Sequence, residues 1–130
     1  MLFRSMKSTD GGVTWSDRIR VNQDGSNKHQ FFTWMTIDQS SGYLYFVYYD
    51  RRNYDDTQTD VYLSASRDGG KTFVDTKISE KPFIPSAEMF FGDYLNIDAV
   101  DGQIRPIWPS MKDKKIKLHV ALISEKGLKK

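Results

Sequence analysis

The sequence has 130 residues, 19 Lys and Arg against 17 Asp and Glu for a net charge of +2, no Cys, and 14% aromatic residues. That length sets one domain or a piece of one. The missing cysteines exclude a disulfide framework and a zinc knuckle, and His29 and His119 lie far apart, outside any HExxH pattern, which speaks against a histidine-rich metal centre. A charge so near zero argues against nucleic acid as the main partner, and the basic end with Lys126, Lys129 and Lys130 reads as a solvated terminus. No apolar run reaches the roughly 18 residues of a membrane span, and the alternating stretch Met1 to Asp10 carries no secretion signal. The chain as given therefore reads as soluble.

The opening Met-Leu-Phe-Arg-Ser has the look of a strand interior and leads into the octet Ser8-Thr9-Asp10-Gly11-Gly12-Val13-Thr14-Trp15. A second octet, Ser66-Arg67-Asp68-Gly69-Gly70-Lys71-Thr72-Phe73, repeats its Ser, Asp, Gly-Gly and Thr and again ends on an aromatic residue. Alternating segments follow both, Arg18 to Val21 and Val74 to Ile78, as the return strand of a hairpin would. Asp10 and Asp68 are placed to accept backbone N–H groups a few residues on, and the Gly-Gly pairs to supply positive φ. Ser8 and Ser66 can bond across the loop, while Trp15 and Phe73 start the return strand and pack under the turn. The octet thus has a structural job at each recurring position.

Between the octets, Phe31 to Ile37 and Tyr43 to Tyr49 are two strands joined by the turn Asp38-Gln39-Ser40-Ser41-Gly42. A polar loop, Arg51 to Thr59, precedes the strand Asp60 to Ser66, then the second octet and the strand to Ile78. This is four consecutive antiparallel strands. After the linker Glu80 to Ser86 come Tyr94 to Val100, the turn Asp101-Gly102, Gln103 to Trp108, and Lys115 to Ile123, a unit of three strands without a third octet. No segment holds a period of 3.6, so an all-β chain with almost no helix is expected.

The pattern Ser-x-Asp-x-Gly-x-Thr-Trp resembles the Asp-box of sialidase-like β-propellers (BNR repeats), where it joins the third and fourth strands of a four-stranded blade. The resemblance covers Phe3 to Ile123 and implies a partial propeller: residues 1–22 the end of one blade, 29–79 a complete blade, and 87–124 three strands of a further one. Closed propellers hold about four to eight blades, so self-association completing the ring is expected. The resemblance also implies a glycan or other carbohydrate partner and a secreted or cell-surface full-length form; no cofactor and no metal are expected. As function it implies a portion of a glycoside hydrolase; the alternative is a non-catalytic propeller that binds glycan or protein.

Sialidase-type chemistry, as the resemblance implies it, uses arginines on the substrate carboxylate, a tyrosine nucleophile assisted by a glutamate, and an aspartate acid/base. Arg51 and Arg52 follow the strand Tyr43 to Tyr49 much as an arginine does at a sialidase channel mouth. The competing reading makes both surface charges paired with Asp50, Asp55 or Asp56. Tyr94, with Asp93 beside it, opens a strand in the manner of the catalytic tyrosine; an ordinary buried tyrosine is the other reading. Trp34 and Trp108, near strand ends, are the candidates for stacking on sugar. The matching strand Gln30 to Trp34 has no carboxylate, Glu88 is the one nearby loop glutamate, and the acid/base aspartate has no counterpart. A complete sialidase site is therefore not expected. The acidic loop Asp50, Asp55, Asp56 and Asp60 has hard oxygen ligands but not the EF-hand spacing, and reads as a loop paired with Arg51 and Arg52.

Overall fold

The computed structural model describes residues 3–92 and 94–129. Among them the fold is all-β, with antiparallel sheets and no α-helix; a single 3-10 turn spans Glu125–Gly127. Among the described residues no helix is long and apolar enough to cross a membrane. The strands form no closed propeller.

The first pair, β1 (Arg4–Ser5) and β2 (Ile19–Arg20), brackets the first octet and pairs Arg4 with Arg20 and Ser5 with Ile19. The middle sheet runs in sequence order through β3 (Gln30–Ile37), β4 (Leu44–Asp50), β5 (Asp60–Ser66) and β6 (Val74–Lys77). This is the expected four-stranded meander. Its central strands are buried almost end to end because the two faces meet two different neighbours. Tyr45, Val47, Tyr49, Val61, Leu63 and Ala65 face one core. Phe46, Tyr48 and Tyr62 face the other, where Phe3, Ile19 and Val21 from the first pair cover them.

The third sheet contains β7 (Asn96–Val100), β8 (Gln103–Lys112), β9 (Lys115–Val120) and β10 (Ile123–Ser124). β9 and β10 lie along one edge of β8, opposite Ile107–Lys112 and Gln103–Ile104, so they act as one interrupted third strand. Ile97, Ala99, Ile104 and Trp108 from this sheet complete the first core, and β7 lies beside β3. Three hydrogen bonds tie the sheets at one end: the Gly102 N–H donates to Asp38 at 2.7 Å, and the Tyr45 hydroxyl and Arg67 Nε donate to Glu125 at 3.1 and 2.5 Å. Asp38 is held at about 2 by the Ser40 hydroxyl and the Gly102 N–H.

Three local expectations are corrected. Trp15 begins no strand: β2 starts four residues later, and Trp15 stays 59% exposed. β3 is not regular, because Phe32 and Thr33 together oppose Tyr48 in a β-bulge, with Phe32 at φ 51. β8 does not stop at Trp108 but runs through Pro109 to Lys112. The ladder with β7 ends opposite Ile107, and the Pro109 carbonyl accepts the Tyr49 hydroxyl while β9 runs along the other edge. Proline therefore removes no ladder bond to β7 there.

Candidate functional site

The structure does not gather the sequence candidates into one site. Arg52 emerges from the end of β4, and its guanidinium is taken up on every side. It meets Asp50 Oδ2 at 2.6 Å and Asp75 Oδ2 at 2.7 Å, with Asp24 Oδ1 at 3.8 Å. Nη2 also donates to the Tyr48 hydroxyl at 3.0 Å, and the Tyr62 ring lies 4.0 Å from the guanidinium carbon. Burial works against the charge, yet the hydrogen bonds and charges of Asp50 and Asp75 hold the Arg52 pKa above its ordinary value. Burial likewise opposes ionisation of Asp24, but hydrogen bonds from Ser26 and Asn22 and the charge of Arg52 keep its pKa low. This network fastens the segment after β2 to β4 and β6. A ligand anion would have to displace three carboxylates from Arg52.

Arg51 is half-buried over the Phe31 ring at 5.1 Å, with Nε donating to Thr59 Oγ1 at 3.2 Å. The acidic loop is also spoken for, though only Asp50 among its carboxylates pairs with either arginine. Asp55 meets Lys28 at 2.6 Å, Asp56 accepts Gln58, and buried Asp60 takes Lys77, Tyr54, Asn53 and Ser79. Burial, followed by the Asp60 hydrogen bond, pushes the Tyr54 phenol up to about 12. No group of three or more metal-ligating side chains assembles among the described residues.

Tyr94 and Trp34 do share one place. They line a shallow depression of about 270 Å³ together with Leu95, Asn96, Ile107, Pro109 and Leu118. Trp34 lies opposite Val47 on β3, just after the bulge, and is 45% exposed; Tyr94 precedes β7 and is 74% exposed. The buried-tyrosine reading is thereby corrected. The Tyr94 hydroxyl has no hydrogen-bond partner among the described residues, and Asp93 lies outside them. Glu88 points elsewhere, 3.8 Å from Lys114.

Trp108 belongs to a different place. It is 6% exposed, stacked on His119 at 5.6 Å, and packed into the core, so it cannot offer an open face to sugar. Strand β8 continues past it, which is why its supposed strand-end position misleads. It edges a larger cleft of about 850 Å³ between Ile78–Ser86 and the β8–β9 hairpin. Sequence reading missed Leu95, Ile107, Pro109 and Leu118, which build the depression from three segments. The alternation of β7 and β8 was the one available signal for them.

The two octets are built alike. Asp10 accepts the Thr14 N–H at 2.9 Å and the Thr14 hydroxyl at 2.5 Å; Asp68 accepts those of Thr72 at 3.0 and 2.6 Å. Ser8 and Ser66 each accept the N–H of the second glycine, at 2.8 and 2.9 Å, and Gly11, Gly12, Gly69 and Gly70 all have positive φ. These are closed, self-satisfied turns whose polar groups serve the backbone. No family model matches the chain, and searches of curated proteins and of solved structures find no match to it.

Proposed function

We propose that the chain is a segment of an Asp-box β-propeller of the sialidase-like kind, secreted or cell-surface in its full form, and that it binds glycans without cleaving them. The observation that carries the binding reading is the exposed Trp34–Tyr94 pair over an apolar depression that no charged residue lines among the described ones. Aromatic rings with one polar handle suit the apolar face and hydroxyl rim of a sugar. Cleavage by a tyrosine route needs a base on the phenol and an acid for the leaving group. The described surroundings of Tyr94 provide neither, and Arg52 is held by carboxylates.

An uncovered apolar face supports the propeller. On β3, Met35 and Ile37 are 46% and 41% exposed, on the face that β1 and β2 cover only further out. On the third sheet, by contrast, exposed Leu118 belongs to the depression and Val120 to the larger cleft beside it. The chain exposes 8130 Å² at 15.1 kDa, above the roughly 7,100 Å² expected of a compact monomer of that mass. A second copy of the chain, supplying a blade to the β3 face, is the occupant we propose.

A glycan array followed by calorimetry tests the site: Trp34→Ala and Tyr94→Ala should each weaken the best-bound glycan at least tenfold while the fold persists by circular dichroism. Light scattering at micromolar concentration should give a dimer or trimer. A compact monomer removes the propeller completion, and hydrolysis of a fluorogenic sialoside, abolished by Tyr94→Phe, replaces binding by catalysis.

A further inference from the structure

The 850 Å³ cleft is independent of the Trp34–Tyr94 depression and has a different chemistry. One wall, Ile78–Ser86, is pinned to the start of β5. Thr59 and Phe83 exchange N–H···O bonds of 2.8 and 3.0 Å, and buried Ser79 accepts the Val61 N–H at 2.9 Å while donating to Asp60 at 3.1 Å. The other wall is the β8–β9 hairpin, where Trp108 stacks on His119 and the His119 Nε2 is 2.7 Å from Ser110 Oγ. Both walls are thus fixed before any ligand arrives.

The rim is cationic. Lys81, Lys112, Lys114 and Lys117 line the cleft against Glu80 and Asp113. Lys114 has only a long, solvent-exposed contact to Glu88, and Lys81, Lys112 and Lys117 make no ion pair among the described residues. Such exposed pairing is worth little, so the local field is left largely uncompensated. Lys112 stands directly opposite Lys115 in the ladder, a like-charge pair that weakens a hairpin. The turn between them places Asp113 at φ 50 and Lys114 at φ 56, a left-handed pair where Asn-Gly is the usual solution. The hairpin thus keeps its lysines together at some cost to its own stability.

We propose that this cleft binds an anionic oligosaccharide, its sulfate or carboxylate groups spaced along the chain to meet the separate lysines. The volume fits several sugar-sized units rather than a single ion, and flexible, hydrated ammonium groups suit distributed anions. Nucleic acid fits less well. The open face of Trp108 is taken by His119, so no base can stack there, and the net charge is only +2.

The probe is a fully sulfated heparin-type tetrasaccharide, titrated calorimetrically into the whole chain at low salt. Saturable binding is expected, weakened at least tenfold by Lys112→Gln with Lys117→Gln and by Lys81→Gln, and unchanged by Lys126→Gln with Lys129→Gln in the tail or by Trp34→Ala. Unchanged binding in Trp34→Ala separates this cleft from the proposed glycan platform. A desulfated tetrasaccharide that keeps its carboxylates and still binds assigns the cleft to carboxylates; one that loses binding assigns it to sulfates. No saturable heat at millimolar probe, equal affinity for a neutral tetrasaccharide, loss caused by the tail variants alone, or tighter binding of a single-stranded oligonucleotide would overturn the proposal.

Discussion

The two octets share their Ser–Asp, Ser–Gly and Asp–Thr hydrogen bonds and meet opposite fates. In the second, Phe73 is 6% exposed, Gly70 is buried, and the Phe73 ring meets Phe46 at 5.7 Å across the sheet. In the first, Trp15 is 59% exposed, its indole N–H turned back to the Gly12 carbonyl at 3.1 Å. Turn geometry is therefore encoded within the octet, whereas burial of its aromatic residue is decided by what lies alongside. The second octet leaves β5 and returns as β6 beside central strands covered on both faces; the first hangs from two strands of two residues each.

The largest test of that contrast compares the aromatic residues. Phe73→Ala removes a ring from a packed cluster and should lower unfolding free energy by about 3–5 kcal/mol. Trp15→Ala, at a mostly solvated position, should change it by roughly 0.5 kcal/mol or less. Urea denaturation of the two variants reads the difference directly. Equal losses would mean that the first octet is packed in solution, by a partner copy if light scattering shows one.

What was legible in the sequence follows the same division. The octets and the four-strand unit were readable because their hydrogen bonds join residues close in sequence and their alternation shows which positions share a face. The bulge at Phe32 was not, since no glycine or asparagine marks the positive φ; rings of Phe31, Tyr49 and Phe91 surround Phe32 there instead. Nor was the reach of β8 past Pro109, which depends on where β7 ends. The candidate site was less legible still. Residues 34, 94, 107 and 118 meet only through sheet packing, and Arg52 was claimed by Asp75 and Asp24, more than twenty residues away on either side.

Glycine substitutions sharpen the comparison at smaller cost. Gly12 and Gly70 both lie near φ +90, so Ala is strained at either, by roughly 1–2 kcal/mol. A Cβ at Gly70 would also meet Leu44 Cδ1 at 3.3 Å, while one at Gly12 meets only the exposed Trp15 ring at 3.9 Å. Gly70→Ala should therefore lower the Tm by several degrees more than Gly12→Ala. A reversed order would show that the buried turn yields more easily than the exposed one.

The smallest effect is electrostatic and separates the turns by pH. The Thr14 hydroxyl and N–H, with the Ser8 hydroxyl, hold the Asp10 carboxyl at about 2, against 3.8 for a free side chain. The Thr72 hydroxyl and N–H hold Asp68 lower still. A carboxylate depressed on folding binds its proton more weakly in the folded state, so its contribution is complete above the unfolded value and fades as pH falls through the folded one. Stability should accordingly be insensitive to these groups above about pH 5 and decline from about pH 4 towards pH 2. Amide shifts of Thr14 and Thr72 followed by NMR should titrate in that order as acid is added, Thr14 with a midpoint near 2 and Thr72 below it. Midpoints near 4 for both would mean that the carboxylates do not organise the turns in solution; a Thr14 midpoint near 4 with Thr72 still low would show that packing beside the second turn, rather than its local hydrogen bonds, keeps it closed.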